Sequence, residues 1–205
     1  MQDRETDSYW AIMKGEAVAG AKKGTELKEL PLGKKMKWKR WKRKHPDTLV
    51  LSVNGREDGQ DSYRTYFKSA QGFRNSRAKD KRLRTKAPIF AFKLGEQTYA
   101  VNHKELGEGQ SFSLGDRHIF LYRSADAELF HSTAAFHSNG KGIEKRDGRW
   151  VDVGSGCAFS TENEVFSNPA NNMVGGSESC PEAFRGFDTF WYNWSLNNPS
   201  TELLM

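Results

Sequence analysis

Trp38–Leu51 has the sequence WKRWKRKHPDTLVL, and Trp191–Leu204 has the sequence WYNWSLNNPSTELL. When the chain is shifted by 153 positions, five residues of the two stretches coincide without a gap. The coinciding pairs are Trp38 with Trp191, Trp41 with Trp194, Pro46 with Pro199, Thr48 with Thr201 and Leu51 with Leu204. Because tryptophan is rare, two matched tryptophans at equal spacing indicate an internal repeat.

The spacing within the first copy predicts a short helix over Lys34–His45. Trp38, Trp41 and His45 fall at positions i, i+3 and i+7, which share one face of a helix, and the following proline ends it. Eight of the eleven residues from Lys34 to Lys44 are Lys or Arg, and they cover the remaining faces. The simplest interpretation is an amphipathic helix whose tryptophans enter the core while its cations remain in solvent.

A second interpretation makes the same helix a binding surface, because a basic stripe interleaved with aromatic side chains can bind phosphates or other polyanions. The candidate polyanion-binding residues are Lys34, Lys35, Lys37, Lys39, Arg40, Lys42, Arg43 and Lys44. The second copy keeps both tryptophans but has no Lys or Arg between Phe190 and Asn198. We therefore assign a structural role to the residues that both copies keep, which include Trp38, Trp41, Pro46, Trp191, Trp194 and Pro199.

The net charge of +6 hides an asymmetry between the two parts of the chain. Residues 1–86 contain 23 Lys and Arg against 11 Asp and Glu, whereas residues 87–205 contain 9 against 15. The basic part could attract a polyanion, or the two parts could pair with each other. A second basic stretch, Arg74–Lys86, is a further candidate for polyanion binding.

Composition limits the fold class and the location of the protein. A hydrophobic content of 36% with 19 glycines favours a strand-rich fold with many turns. No apolar run approaches the roughly 20 residues that cross a bilayer. The opening residues, MQDRETDSYW, lack the basic-then-apolar layout of a signal peptide.

Cys157 and Cys180 are the only cysteines and lie 23 positions apart. Two cysteines cannot form a structural zinc site alone, and no His-x-x-x-His motif completes one. A disulfide and two free thiols both remain open.

The hydrophobic pattern predicts an α+β fold that is mainly antiparallel β with short tryptophan-bearing helices. Ala87–Asn102 reads as a hairpin that turns at Leu94–Glu96, and later segments predict further strands, including Glu128–His131 and Ala134–His137. We divide the chain into residues 1–67, the C-terminal part of a first repeat unit; 68–86, a basic linker; and 87–205, a complete second unit. The first copy is therefore expected to be incomplete.

The sequence contains few candidate metal-binding or catalytic residues. His131 and His137 could bind a metal together with Asp116, Asp126 or Glu128, although such histidines are more often ordinary side chains. The loop carboxylates Glu57, Asp58 and Asp61, beside Arg56, could serve as acid and base only if burial raised a pKa. No nucleophile elbow, phosphate loop or dinucleotide fingerprint is present. We assign no catalytic, cofactor-binding or metal-binding residue.

Several segments in the same order resemble the bacterial family known as domain of unknown function 3179: DRETDSYW, GEAVAG, KGTELKELP, the Trp-x-x-Trp…HPDTLVL block and APIFAFKLGEQTYAVNHKEL. The resemblance implies an exported protein, periplasmic or at the cell surface. Members usually carry a Cys-Pro-Leu-Cys-Gly segment upstream of the Asp-Arg-Glu-Thr turn, and this chain opens just after that place. The equivalent stretch of the second unit, FLYRSADAELF, has no cysteine, so the chemistry of that motif does not carry over.

Three functions follow as hypotheses. The first is a non-catalytic binding or interaction module, since repeats are present without a catalytic constellation. The second is polyanion binding, to nucleic acid or an acidic glycan, through 34–44 and 74–86. The third is a fragment of a metal- or thiol-dependent protein whose site lies upstream.

Overall fold

The computed structural model describes residues 1–28, 33–52, 63–129, 131–138, 140–168, 173–174 and 180–205. The loop carboxylates Glu57, Asp58 and Asp61, with Arg56, lie outside these residues. In the described part, no helix has the length and apolar character needed to span a membrane.

The described strands and helices are short. The strands are β1 Tyr9–Ala11, β2 Glu16–Ala19, β3 Pro88–Leu94, β4 Gln97–Asn102, β5 Gln110–Leu114, β6 Arg117–Tyr122, β7 Ala134–His137, β8 Ile143–Arg146, β9 Arg149–Asp152, β10 Ala158–Ser160, β11 Val165–Asn168, β12 Met173–Val174, β13 Glu182–Ala183, β14 Phe187–Phe190 and β15 Glu202–Leu204. The α-helices are α1 Trp38–Lys44, α2 Arg64–Lys68, α3 His103–Leu106 and α4 Trp191–Asn197, and a 3₁₀ turn covers Phe73–Asn75.

A four-stranded sheet in the order β13-β7-β6-β5 lies between two other sheets. Side chains alternate across a strand, so β6 sends Phe120 and Tyr122 to one face and Ile119 and Leu121 to the other. The first pair packs with the five-stranded sheet β12-β11-β10-β9-β8, and the second pair packs with the four-stranded sheet β14-β3-β4-β15. The middle sheet is thus covered on both faces, which explains the continuous apolar run in β6.

Helix α4 covers the far face of the sheet β14-β3-β4-β15. Trp191 and Trp194 are both 0% exposed. They pack with Ala91 of β3 and Ala100 of β4. Small side chains on the sheet leave room for the large indole rings, so the two sets of residues form one core. The chain then returns through β15, which pairs parallel to β4.

The disulfide lies in the core beneath the five-stranded sheet. Cys157 and Cys180 are bonded, with a Cα–Cα distance of 5.7 Å, and both are buried against Phe159 and Phe166. Of the two states left open by the sequence, the structure has the disulfide.

The predicted class is confirmed, because the sheets are mostly antiparallel and the helices are short. The predicted hairpin is also confirmed: β3 and β4 pair from Ile89↔Asn102 to Leu94↔Gln97. One strand prediction was wrong, because Glu128–His131 forms turns in its described residues. The first helix is shorter than predicted, since it begins at Trp38.

The two tryptophan helices differ sharply in burial. Trp38 is 51% exposed, whereas its counterpart Trp191 is 0% exposed. The expectation that both tryptophans of α1 enter the core is therefore wrong for Trp38. Each helix presents its tryptophans on one face, but only α4 has a sheet beneath that face among the described residues.

Replacing Trp191 with Ala should lower the free energy of unfolding by about 3–5 kcal/mol, because the change empties a fully buried site. Replacing Trp38 with Ala should cost about 1 kcal/mol or less, since that ring is half exposed. Urea denaturation followed by circular dichroism measures both. Equal losses would contradict the difference in packing.

Reducing the disulfide should lower the free energy of unfolding by about 3 kcal/mol, because the bond closes a loop of some two dozen residues in the unfolded chain. Urea denaturation with and without reductant measures the loss. A Cys157→Ala/Cys180→Ala variant is the control, and reductant should leave its midpoint unchanged. An unchanged midpoint in the wild-type chain would contradict a stabilising bond.

Candidate functional site

Helix α1 is attached to the rest of the chain by its cations. Arg40 Nη1 lies 2.8 Å from Glu164 Oε1, and Lys34 Nζ lies 3.3 Å from Glu164 Oε2. Lys37 Nζ lies 3.8 Å from Asp126 Oδ2 and 3.5 Å from Glu128 Oε1. The basic and acidic parts of the chain therefore pair with each other at these positions, which is one of the two outcomes expected from the charge asymmetry.

Backbone groups reinforce this attachment. Arg40 Nη2 donates to the carbonyl oxygen of Glu162 at 2.7 Å. The amide of Lys35 donates to Ser132 Oγ at 2.9 Å, and the amide of Ser132 donates to the carbonyl of Lys35 at 3.0 Å. Helix α1 is thus held on the loops around Ser132 and Glu162 through polar groups.

The other candidate cations of this stretch have no ion pair among the described residues. They are Lys35, Lys39, Lys42, Arg43 and Lys44. Burial, followed by repulsion from Arg40 and Lys34, lowers the pKa of Lys44. The candidate residues therefore form two sets, one used inside the molecule and one available at its surface.

A second polar group lies between the sheets and centres on Asp188 of β14. Its Oδ1 accepts hydrogen bonds from Thr133 Oγ1 at 2.6 Å and from His103 Nε2 at 2.9 Å. Its Oδ2 accepts from the amide of Thr133 at 2.8 Å. Arg123 Nη1 lies 3.5 Å from Oδ1. One carboxylate thus joins α3, the end of β6, the segment before β7 and β14.

Arg123 is the buried cation of this group, with 6% of its surface exposed. Its Nη1 donates to the carbonyl of His131 at 2.6 Å, and its Nη2 donates to the carbonyl of Glu128. Burial lowers the pKa of Arg123, and the charge of Asp188 opposes that shift. These bonds hold the turns between Glu128 and His131, which is why this segment does not form the predicted strand.

His103 lines a cleft of about 440 Å³ beside this group. Because its Nε2 bonds to Asp188, the neutral ring carries its proton on that nitrogen. Its Nδ1 has no hydrogen-bond partner among the described residues. The ring is therefore oriented by a buried carboxylate and lies at the wall of a cavity.

A second cleft of about 590 Å³ adjoins the first and shares Pro88 and Lys104 with it. Arg82, Arg84 and Lys86 also line it. Arg82 pairs with Asp80 at 2.7 Å, and Lys86 lies 4.0 Å from the centre of the Tyr66 ring. The side chains of Arg84 and Lys104 form no ion pair in the described part of the chain. Glu108 is the one carboxylate among the described lining residues.

Sequence reasoning missed the Asp188 group. The sequence patterns single out neither His103 nor Arg123 nor Asp188. The available signal was a charged residue directly after the apolar run Ile119–Tyr122, and an acid between aromatic residues in β14. Such positions predict burial, and a buried charge requires a partner.

The metal hypothesis finds no support in the geometry of the described residues. Among them, no group of three or more His, Cys, Asp and Glu side chains is arranged to hold a metal ion. His131 Nδ1 accepts a hydrogen bond from the amide of Glu128 at 3.1 Å, and the His137 ring stacks on Phe184 with centroids 4.5 Å apart. Burial lowers the pKa of His137.

Replacing Asp188 with Asn should lower the free energy of unfolding by about 3–5 kcal/mol, because it leaves the buried Arg123 without its counter-charge. Asp116→Asn, in the exposed turn between β5 and β6, is the matched control and should change stability by less than about 0.5 kcal/mol. Urea denaturation measures both variants. A small effect of Asp188→Asn would show that the buried charge does not need this partner.

Comparison with known proteins gives one result that bears on this site. No curated protein and no solved structure matched the chain. The family model described as "Protein of unknown function (DUF3179)" matches residues 1–201. The match extends over nearly the whole chain and includes every residue of both clefts and of the Asp188 group. The chain therefore belongs to this family.

Proposed function

We propose that the protein is a non-catalytic binding module that holds an acidic glycan in the two adjoining clefts. The observation that carries this proposal is the charge of their walls. Lys104 lies between the clefts, and Arg84 adds a cation that has no ion pair in the part of the chain that the structure describes. Glu108 is the one carboxylate among the described lining residues.

The shape of the site and its side chains favour a polymer with repeated acidic groups. Two joined cavities suit an extended ligand better than a single small anion. Neither cleft is lined by Phe, Tyr or Trp among the described residues. Single-stranded nucleic acids usually bind by stacking their bases on such rings. Carboxylate or sulfate groups on a sugar chain need only the cations.

The same reasoning ranks the two predicted basic stretches as candidate polyanion-binding surfaces. Arg82, Arg84 and Lys86 of the 74–86 stretch line a cavity, whereas the remaining cations of 34–44 lie on helix α1 or, for Lys35, just before it. The surface around helix α1 is the second candidate. It is supported by the cations that have no ion pair among the described residues, which are Lys35, Lys39, Lys42, Arg43 and Lys44.

Binding of a fluorescent heparin octasaccharide, followed by anisotropy, tests the proposal. Affinity should fall by about 10-fold or more between 50 and 200 mM salt if a few cations contact the ligand. Arg84→Ala/Lys104→Ala should weaken binding by at least about tenfold, because it removes the two lining cations that have neither an ion pair nor a ring contact among the described residues. Lys42→Ala/Arg43→Ala is the matched control and should change affinity by less than about twofold.

The other outcomes are equally informative. If the α1 variant loses binding and the cleft variant keeps it, the helix is the polyanion site. Tighter binding of a single-stranded DNA 20-mer would contradict the choice of a glycan. Absence of binding at low salt would remove polyanion binding altogether.

We further propose that the chain contains two related units, with residues 1–67 matching the last part of 87–205 and residues 68–86 joining them. The two tryptophan helices support this proposal, since Trp41 Nε1 donates to Thr48 Oγ1 at 2.9 Å and Trp194 Nε1 donates to Thr201 Oγ1 at 2.8 Å. The residues that follow the two helices have nearly the same backbone angles. They are φ −132° and ψ 72° at His45, and φ −134° and ψ 71° at Asn198.

The preceding hairpins also correspond. Asp7 and Glu164 both have positive φ, at 51° and 54°. In the first turn the amide of Thr6 donates to the side chain of Asp3, and in the second the amide of Asn163 donates to the side chain of Ser160. The joining segment also packs on the second unit, because Trp191 Nε1 donates to the carbonyl of Asp80 at 3.0 Å.

A further inference from the structure

The two adjoining clefts differ in the chemistry of their walls. The second cleft, of about 590 Å³, is lined by four cations and by no carboxylate among the described residues. The first cleft, of about 440 Å³, shares Lys104 with it and is also lined by the His103 ring and the Glu108 carboxylate. A ligand that occupies both clefts therefore meets cations at one end and a different set of polar groups at the other.

His103 offers the first cleft a hydrogen-bond acceptor. The Asp188 carboxylate only accepts, so Nε2 carries the hydrogen of the bond between them, and Nδ1 of the neutral ring keeps its lone pair. In the described part of the chain, Gln110 Oε1 and His131 Nε2 are the buried side-chain atoms without a hydrogen-bond partner. Nδ1 of His103 has no partner there either, yet it is not buried, so it is open to the cleft that the ring lines.

Two further side chains of the first cleft also accept hydrogen bonds. Ser124 Oγ directs its proton to Asp126 Oδ1 at 2.6 Å, and its lone pairs remain. Glu108 is exposed, and its carboxylate only accepts. Arg123 lines this cleft too, but both of its terminal nitrogens bond to carbonyl oxygens, and its charge faces Asp188. The first cleft therefore suits hydroxyl donors and disfavours an anionic group beside Glu108.

We infer that the bound glycan alternates acidic sugars with neutral ones. An acidic unit lies in the second cleft against the cations. A neutral unit lies in the first cleft, where its hydroxyls donate to Nδ1 of His103 and to the carboxylate of Glu108. Ala125 and Ala127 line this cleft and offer an apolar wall to the C–H groups of that sugar. The inference rests on the proposed function, since it names the class of glycan that the same clefts bind.

The competing ligand is a glycan that carries a charge on every sugar. General attraction to a basic surface would favour that polymer, because it has twice as many charges at equal length. In the clefts, however, every second acid group would lie near Glu108, and like charges placed close together oppose binding. The sign of the preference therefore distinguishes recognition in the clefts from general electrostatic attraction.

The test compares two labelled oligosaccharides of eight sugars by fluorescence anisotropy with the full chain at low salt. One alternates glucuronate with N-acetylglucosamine, and the other contains galacturonate throughout. The chain should bind the alternating octamer at least about threefold more tightly, although this octamer carries half the charge.

Glu108→Gln should strengthen binding of the galacturonate octamer by about threefold or more, because it removes the like charge from the first cleft. Binding of the alternating octamer should change by less than about twofold, since the amide oxygen still accepts a hydroxyl proton. Glu105→Gln is the matched control, because Glu105 is exposed in α3 and lies outside the lining of both clefts. It should leave both affinities within about twofold.

Binding of the heparin octasaccharide separates this inference from the proposed function. If heparin binds but the galacturonate octamer binds as tightly as the alternating one, the alternating ligand is wrong and acidic-glycan binding stands. If heparin and both octamers fail to bind at low salt, the proposed function itself is wrong. Equal effects of Glu108→Gln and Glu105→Gln on the galacturonate octamer would overturn the role of the first cleft, because net charge alone would then explain the preference.

Discussion

Strand β6 is buried on both faces, and the three sheets are arranged around this constraint. Phe120 and Tyr122 meet the five-stranded sheet, while Ile119 and Leu121 meet the sheet that carries α4. Among the described residues, the two outer sheets pack in separate clusters on opposite faces of the middle sheet, so each depends on it. Burying one such aliphatic or aromatic side chain is worth about 1.5–3 kcal/mol. The polar residue that follows this run, Arg123, is consequently placed inside the protein and must find its partners there.

The partners of Arg123 explain why the basic clefts lie where they do. The Arg123 guanidinium, His103 and Thr133 all contact Asp188. The one carboxylate of this interior group is therefore already paired. Buried charges are tolerated only when they are paired and hydrogen-bonded. Neighbouring cations such as Lys104 then face the clefts, whose described walls contain Glu108 as their one carboxylate. The positive walls of the clefts thus follow from how the interior charge is balanced.

Local features of this fold could be predicted from the sequence, whereas long-range pairs could not. The hairpin turn at Leu94–Glu96 and the helix after Trp191 depend on neighbouring residues, and both patterns are visible in the printed chain. Lys34 and Glu164 are 130 positions apart, and His103 and Asp188 are 85 apart. Periodicity tells which residues share a face, but it carries no information on what that face meets. For this reason the predicted burial of Trp38 was wrong.

Helices α1 and α4 have similar local geometry, but different kinds of side chain attach them to the rest of the protein. In α4 the indoles face the sheet, and a fully buried indole contributes several kcal/mol. In α1 the cations face the protein through Glu164, and each partly exposed ion pair contributes about 1 kcal/mol or less. Helix α1 is thus attached weakly through charge, while the indole of Trp38 remains half exposed. The two helices therefore contribute to the stability of the protein through different interactions.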